Sequence, residues 1–275
     1  MSAISQPLGD FDRLWDELRT EAQNSSEIEP SAERLISRLV LDAPGFNVAL
    51  SSILADKLAS KWIAESELKS LFEAMFQTDP GAAAGARNDL RAVRDRDPVA
   101  RGVLVPFLFF KGFQAIQSYR LSHWLWSRER RVVACLLQSR ISEVFAVDIH
   151  PAARLGSGIL IDHATSVIVG ETAVIENDVS ILHEVTLGGT GKQAGDRHPK
   201  VRCGVLIGAG AKVLGNVEIG EGAKIGAGSV VLDPVPPHCT VAGVPAKIVS
   251  RSGVRMPAFE MDQQFPHEYV DGSGI

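Results

Sequence analysis

Two hydrophobic rhythms divide the chain. Up to about residue 147, apolar residues recur at steps of three and four, as in Phe11, Leu14, Trp15 and Leu18, and again in Leu68, Leu71, Phe72, Met75 and Phe76. That spacing predicts amphipathic helices, and Ser31 and Ser66 stand where two of them would be capped. The stretch from Phe107 to Val147 is richer in Phe, Trp, Leu and Ile than one amphipathic helix buries. Long helices packed on one another, or on other subunits, are expected there.

From Ile149 the rhythm changes to six: Leu155, Ile161, Val167, Ala173, Val179 and Val185, then, after a gap, Ile207, Val213, Ile219, Ile225 and Val231. Glycine follows at Gly156, Gly208, Gly220 and Gly226, and a small residue comes four positions after the aliphatic one at Ala153, Ala211, Ala223 and Ser229. A helix cannot use this period, and a flat sheet would not need glycine at corners. A triangular solenoid needs both, because each hexad makes one short side with an inward aliphatic and then turns. Three sides make a coil of roughly 18 residues, and coils stack at about 4.8 Å with parallel backbone pairing. The fold expected is α+β with a mainly β C-terminal half: an α-helical domain over 1–147, a parallel β-helix over 148–250, and a flexible tail over 251–275. Between Leu187 and Val205 the hexads lapse into GGTGKQAGDRHPKVRCG, glycine-rich, basic and polar. A loop extruded over 188–204 is expected, and such loops often carry sites.

Composition agrees with this division. Six of the 25 glycines precede Asp148 and seventeen lie between Gly156 and Gly253, while every Trp, Tyr and Phe falls before residue 148 or after residue 258. The solenoid core is therefore aliphatic and narrow. A net charge of −5 with both signs interspersed argues against a nucleic-acid surface and leaves small molecules as partners. Cys135, Cys203 and Cys239 form no CxxC pair and suit a reducing, cytoplasmic setting. No signal peptide and no apolar run of about 18 residues is seen, so no membrane role is expected.

The first coil concentrates acid and imidazole in Val147-Asp148-Ile149-His150-Pro151 and Asp162-His163-Ala164-Thr165. Histidine is the side chain best matched to proton abstraction near neutral pH, and a carboxylate on its other nitrogen would fix its tautomer. With coils of 18 residues Asp148 stacks on position 166, three short of register with His163.

The strings VDIHPAA, IDHATSVIVGETAVIENDVSI, VTLGGTGK, GDRHPK, IGAGAKVLGN, IGAGSVV and VAGVPAKIV, together with Arg96-Asp97-Pro98 and the following LFFKGFQAIQSYRLSHWLW, closely resemble the serine O-acetyltransferases. These are hexapeptide-repeat acyltransferases whose coils wind left-handed. The likeness is strong from Asp97 to Arg251 and looser before. It implies transfer of acetyl from acetyl-CoA to L-serine by direct attack, with no acyl-enzyme and no metal. It also implies His163 as general base oriented by Asp148, Asp97 and Asp162 on the substrate ammonium, and Arg197 and His198 on its carboxylate. For acetyl-CoA it implies a groove between neighbouring prisms lined near Gly189, Thr190, Ala209 and Ala227, with Lys224 and Lys247 toward the phosphates. Cysteine as feedback inhibitor, a trimer doubled into a hexamer through the N-terminal helices, and insertion of a tail ending in Ile275 into O-acetylserine sulfhydrylase follow from the same resemblance, although Ser273 stands where that tail usually has Asp. Other acceptors of the same superfamily, a zinc carbonic anhydrase using His150, His163, His183 and His198 across a subunit boundary, and a non-catalytic scaffold are the competing readings.

Overall fold

A computed structural model describes residues 9–191, 194–251 and 256–264. Eight helices come first: α1 (Gly9–Ile28), α2 (Pro30–Ile36, running into a π-helical turn at Ser37–Leu41), α3 (Phe46–Leu58), α4 (Glu65–Thr78), α5 (Pro80–Arg96), α6 (Leu104–Phe109), α7 (Lys111–Trp126) and α8 (Arg131–Phe145). Ser31 and Ser66 lie one residue inside their helices, and the capping positions fall on Glu29 and Ala64 without side-chain caps. Asp79 does cap, accepting the Ala82 N–H at 3.1 Å ahead of Pro80. The aromatic-rich segment forms α7 and α8, and α7 is buried almost all round. Its buried polar side chains are all bonded: Gln114 to the Leu108 carbonyl at 2.7 Å, Ser122 to the Ala134 carbonyl at 2.8 Å, Gln117 to Asp89 at 3.0 Å.

Ala146, in the left-handed region, ends α8, and the chain enters the solenoid. Its strands fall on three faces. Face 1 stacks β1 (Val147–Ile149), β4 (Val167–Val169), β7 (Thr186–Gly188), β10 (Lys212–Leu214) and β13 (Val230–Val231). Face 2 stacks β2 (Arg154–Leu155), β5 (Val174–Ile175), β8 (Lys200–Val201) and β11 (Glu218–Ile219). Face 3 stacks β3 (Leu160–Ile161), β6 (Ser180–Ile181), β9 (Leu206–Ile207), β12 (Lys224–Ile225) and β14 (Cys239–Gly243), and closes with an antiparallel strand, β15 (Ala246–Arg251).

Three expectations need correction. The first coil has twenty residues, since Asp148 pairs with Ile168 rather than with position 166. Six-step counting through Ile161 and Val167 misses this because each side buries two aliphatics two residues apart, such as Val167 and Val169, or Ala173 and Ile175. The count slips from one inward position to the other across Asp162–Ser166, which makes a five-residue corner. Second, the extruded loop is shorter than 188–204: Lys200 and Val201 are already back in the wall, paired with Val174 and Ile175, so it spans about 189–199. Third, part of the tail is docked. Residues 257–260 form α9 (Pro257–Glu260), where the Ala258 N–H donates to the Gly204 carbonyl at 3.2 Å, Ser180 Oγ donates to the Ala258 carbonyl at 2.9 Å, and Phe259 lies under the Arg96 guanidinium at 4.3 Å. Ser273 and Ile275 lie outside the described residues.

Helices and solenoid share one continuous apolar core, stitched by buried polar groups. Asp89, fully buried on α5, accepts from Arg120 at 2.6 Å, from Gln117, and from the Ile159 N–H of the solenoid at 2.9 Å. Arg96 reaches the Gly158 carbonyl at 2.9 Å, Ser180 Oγ at 3.2 Å and Asp178 at 3.1 Å. The first coil, with its corner at residues 162–166, is thereby fixed against α5 and α7. No helix among the described residues is long and apolar enough to cross a membrane.

Candidate active site

The five-residue corner between faces 3 and 1 carries Asp162 and His163. His163, Ala164 and Ser166 all have positive φ (55°, 61° and 62°), a conformation that non-glycine residues hold only where the surroundings impose it. Here α7 imposes it. Gly112 lies so close that a Cβ would come within 2.0 Å of the Ile161 carbonyl oxygen, buried Ala164 packs beside it, and Lys111 Nζ donates to Thr165 Oγ1 at 2.5 Å. The result presents His163 outward, its side chain 75% exposed, with Nε2 at 4.0 Å from Asp162 Oδ1. Asp162, His163, Asp97 and the Lys111–Phe113 turn line one cavity of about 550 Å³, whose other walls include Val93, Phe109 and Leu160. Asp97 ends α5 and its carboxylate accepts the Val99 N–H at 2.9 Å, a turn role compatible with facing that cavity. Burial raises the Asp162 carboxyl above its ordinary pKa, Asp97 adds to the rise, and His163 opposes it.

Asp148 and His163 are not joined. Asp148 points outward from β1, opposite Ile168, and accepts from Gln138 Nε2 at 2.7 Å; no hydrogen bond or ion pair links it to His163 among the described residues. The orienting contact that the resemblance implies is not made within this protomer, and the twenty-residue coil leaves Asp148 five residues rather than three from register with His163.

Arg197 and His198 stand on the other edge of face 1, between faces 1 and 2. Thr172 organises them: its Oγ1 accepts the N–H groups of Arg197 at 3.0 Å and His198 at 3.1 Å. Its own N–H donates to His198 Nδ1 at 3.2 Å, which leaves the imidazole proton on Nε2. Burial, then the Arg197 charge, hold that imidazole below its ordinary pKa, which favours the neutral ring. Gly170 makes room for the ring, since a Cβ there would fall 2.0 Å from His198 Cδ2. Arg197 donates to Glu171 at 2.6 Å, a bond that lowers the Glu171 pKa.

The expected acetyl-CoA positions divide in the same way. Ala209 and Ala227 follow β9 and β12 on the His163 edge, where the Gly228 N–H donates to the Ala209 carbonyl at 2.8 Å and the Gly210 N–H to the His183 carbonyl at 3.0 Å. His163, His183, Ala209 and Ala227 thus form one column along the prism. Gly189 and Thr190 follow β7 on the opposite edge, against Arg197 and Gly215. Lys247 is exposed on β15, in the last coil. Lys224 is elsewhere: it is buried on face 3, donating to the Gln264 carbonyl at 2.6 Å with Asp262 at 3.9 Å, and so holds residues 256–264 rather than facing a phosphate.

Residues 14–118 match the family described as "Serine acetyltransferase, N-terminal", and residues 198–233 match "Bacterial transferase hexapeptide (six repeats)". The serine acetyltransferase of Salmonella typhimurium is 50% identical over 272 residues, spanning 98% of this chain and 100% of that protein. The chain belongs to the serine acetyltransferase family. A solved serine acetyltransferase in complex with cysteine superposes with a TM-score of 0.91 at 52% identity, covering 92% of this chain and 99% of that one. A serine acetyltransferase of Brucella abortus in complex with coenzyme A superposes at 0.88 and 48% identity, covering 90% and 99%. The chain is accordingly an acyltransferase that uses acetyl-CoA as co-substrate. Gly112, Gln138, Gly170 and Thr172 escaped the sequence reading, since their importance lies in close approach and hydrogen bonding. His183, named from the sequence only among candidate zinc ligands, stacks on His163 because Ile161 pairs with Ile181 across a twenty-residue coil, a register that six-step counting conceals.

Proposed function

We propose that His163 is the general base that takes the hydroxyl proton of L-serine, with Asp97 and Asp162 on the ammonium group. Arg197 and His198 of a neighbouring copy hold the carboxylate, since in one protomer they sit across face 1 from His163. Two prisms of a trimer packed edge to edge bring the halves together and leave a groove between Ala209 and Ala227 of one copy and Gly189 and Thr190 of the next. From His163 to the last coil is four steps of about 4.8 Å, about 19 Å, which suits an extended pantetheine arm with Lys247 toward its phosphate end.

As His163 removes the proton, serine Oγ forms a bond to the thioester carbonyl carbon and the C=O pair moves onto oxygen. Collapse restores C=O, breaks C–S and expels CoA thiolate, which takes the proton back from the imidazolium as CoA thiol. The second product is O-acetylserine. Asp148, on the outer surface of the same coil, is proposed to receive the imidazole when the exposed ring turns toward face 1. Cysteine, sharing serine's ammonium and carboxylate, would occupy the same subsite as an inhibitor. Doubling of the trimer through the helices, a cytoplasmic location, and capture of the Ile275 tail by the sulfhydrylase belong to this reading too.

The observation that carries the assignment is the outward imidazole at a corner clamped by α7, beside an acid-lined cavity. Serine-dependent thiol release tests the acceptor, with sugars and simple amines expected to give no signal. The raised Asp162 pKa adds a pH prediction. As pH falls toward that pKa the carboxylate takes a proton and loses its hold on the ammonium, so KM for serine rises at a higher pH than an ordinary aspartate would produce, and Asp162→Asn removes this dependence. Because folding raises this pKa, the protonated form favours the fold at low pH and the charged form costs stability at neutral pH. Asp162→Asn is therefore expected to melt no lower than wild type at pH 7 while binding serine poorly. Gly170→Ala is expected to push His198 off its seat and raise KM for serine by roughly tenfold or more, the worth of one hydrogen bond to a charged group; an unchanged KM would show that His198 does not touch the substrate.

A further inference from the structure

His183 has no place in the scheme so far, yet it stands next to His163 in the edge column. Glu184 N–H donates to the Thr165 carbonyl at 2.7 Å, which stacks the two corners, and the His163 and His183 rings meet edge to face with centroids 5.7 Å apart. Along the column His183 lies between the proposed base and the small-residue track of Ala209 and Ala227. Its Nδ1 is buried and finds no hydrogen-bond partner among the described residues, whereas Nε2 is not sealed in the same way.

This asymmetry fixes the ring's chemistry. A buried N–H without an acceptor is rarer and costlier than a buried acceptor without a donor. Nδ1 is therefore the bare nitrogen, and the proton sits on Nε2, the side that remains accessible. His183 thus presents an N–H donor one coil step from the base.

Resting on the reading of His163 above, we propose that His183 is a second catalytic residue: its Nε2–H donates to the thioester carbonyl oxygen as that oxygen gains charge under attack by serine. The proton stays on Nε2 throughout. The bond is stronger to the oxyanion than to the ground-state carbonyl, so it acts on kcat and little on binding.

The test compares three substitutions in the full-length protein by thiol release at saturating serine and acetyl-CoA, with CoA affinity measured by calorimetry. His183→Phe keeps a flat ring and removes the donor. It is expected to lower kcat about 10²–10³-fold while KM for serine and Kd for CoA stay within about threefold. His183→Gln carries an amide N–H near the Nε2 position and is expected to recover kcat to within about tenfold of wild type, while His183→Asn, whose amide reaches only toward Nδ1, is not. A His183→Phe enzyme within about threefold of wild-type kcat overturns the proposal, as does a Gln variant no faster than the Asn variant; that second comparison decides the matter if the Phe variant does not fold. His163→Ala in the same assay tests the base separately: full activity there removes the base, while full activity confined to the His183 variants removes only the oxyanion donor.

Discussion

His163→Ala is expected to lower kcat for serine acetylation by about 10²–10⁴-fold, the range a positioned general base contributes, with CoA affinity unchanged because the proposed site for the nucleotide end lies several coils away. The residue's exposure makes a folding explanation easy to exclude: removing a side chain that is 75% exposed costs little stability, so the melting temperature should match wild type. Asp148→Asn discriminates between two roles. If the carboxylate stabilises the imidazolium that forms as serine is deprotonated, kcat falls. If Asp148 only accepts from Gln138, the asparagine variant keeps full activity, because its side-chain carbonyl can accept the same bond. Wild-type rates in both variants would remove the proposed base and its orienter together.

Arg96→Met is expected to destabilise the protein by about 2–4 kcal/mol, toward the lower part of the range for breaking a buried ion pair because Asp178 is partly open to solvent. Its guanidinium is almost fully buried and bonds the Gly158 carbonyl, Ser180 Oγ and Asp178 while stacking on Phe259. Methionine fills part of the volume but leaves that carbonyl and carboxylate without their donor, and α5, the first coil and α9 lose their common anchor. Denaturant unfolding measures the loss, and hydrogen exchange in residues 256–264 should rise with it. Arg96→Lys should not rescue, since a single ammonium cannot span three acceptors that a planar fork reaches at once. A change below about 0.5 kcal/mol would mean the anchor is not needed.

The architecture was legible because a solenoid writes its period into the chain. Each side must bury an aliphatic and then turn, so Ile149, Leu155 and Ile161 mark successive sides directly, as do Ile207 through Val231. The same redundancy hid the one irregularity that matters for the site. With two inward aliphatics per side, the two extra residues at Asp162–Ser166 did not break the six-step count, and Asp148 was placed opposite position 166 instead of Ile168. The end of the chain misled for a different reason: residues 256–264 have no periodicity, yet Ala258, Phe259 and Gln264 find partners in Gly204, Arg96 and Lys224 that are remote in sequence.

Composition and period by themselves determined that helices would precede a three-sided parallel coil with an aliphatic core and an extruded basic loop, because those features are set by residue type at fixed spacing. The motif strings carried the family. Tertiary structure alone decided that Asp162 and His163 occupy a corner two residues longer than its neighbour, that Gly112 lets α7 clamp it, and that Arg197 and His198 face a different edge. These are matters of distance between elements far apart along the chain. No local pattern records them, since a glycine that admits a carbonyl oxygen and a glycine that merely turns are the same letter.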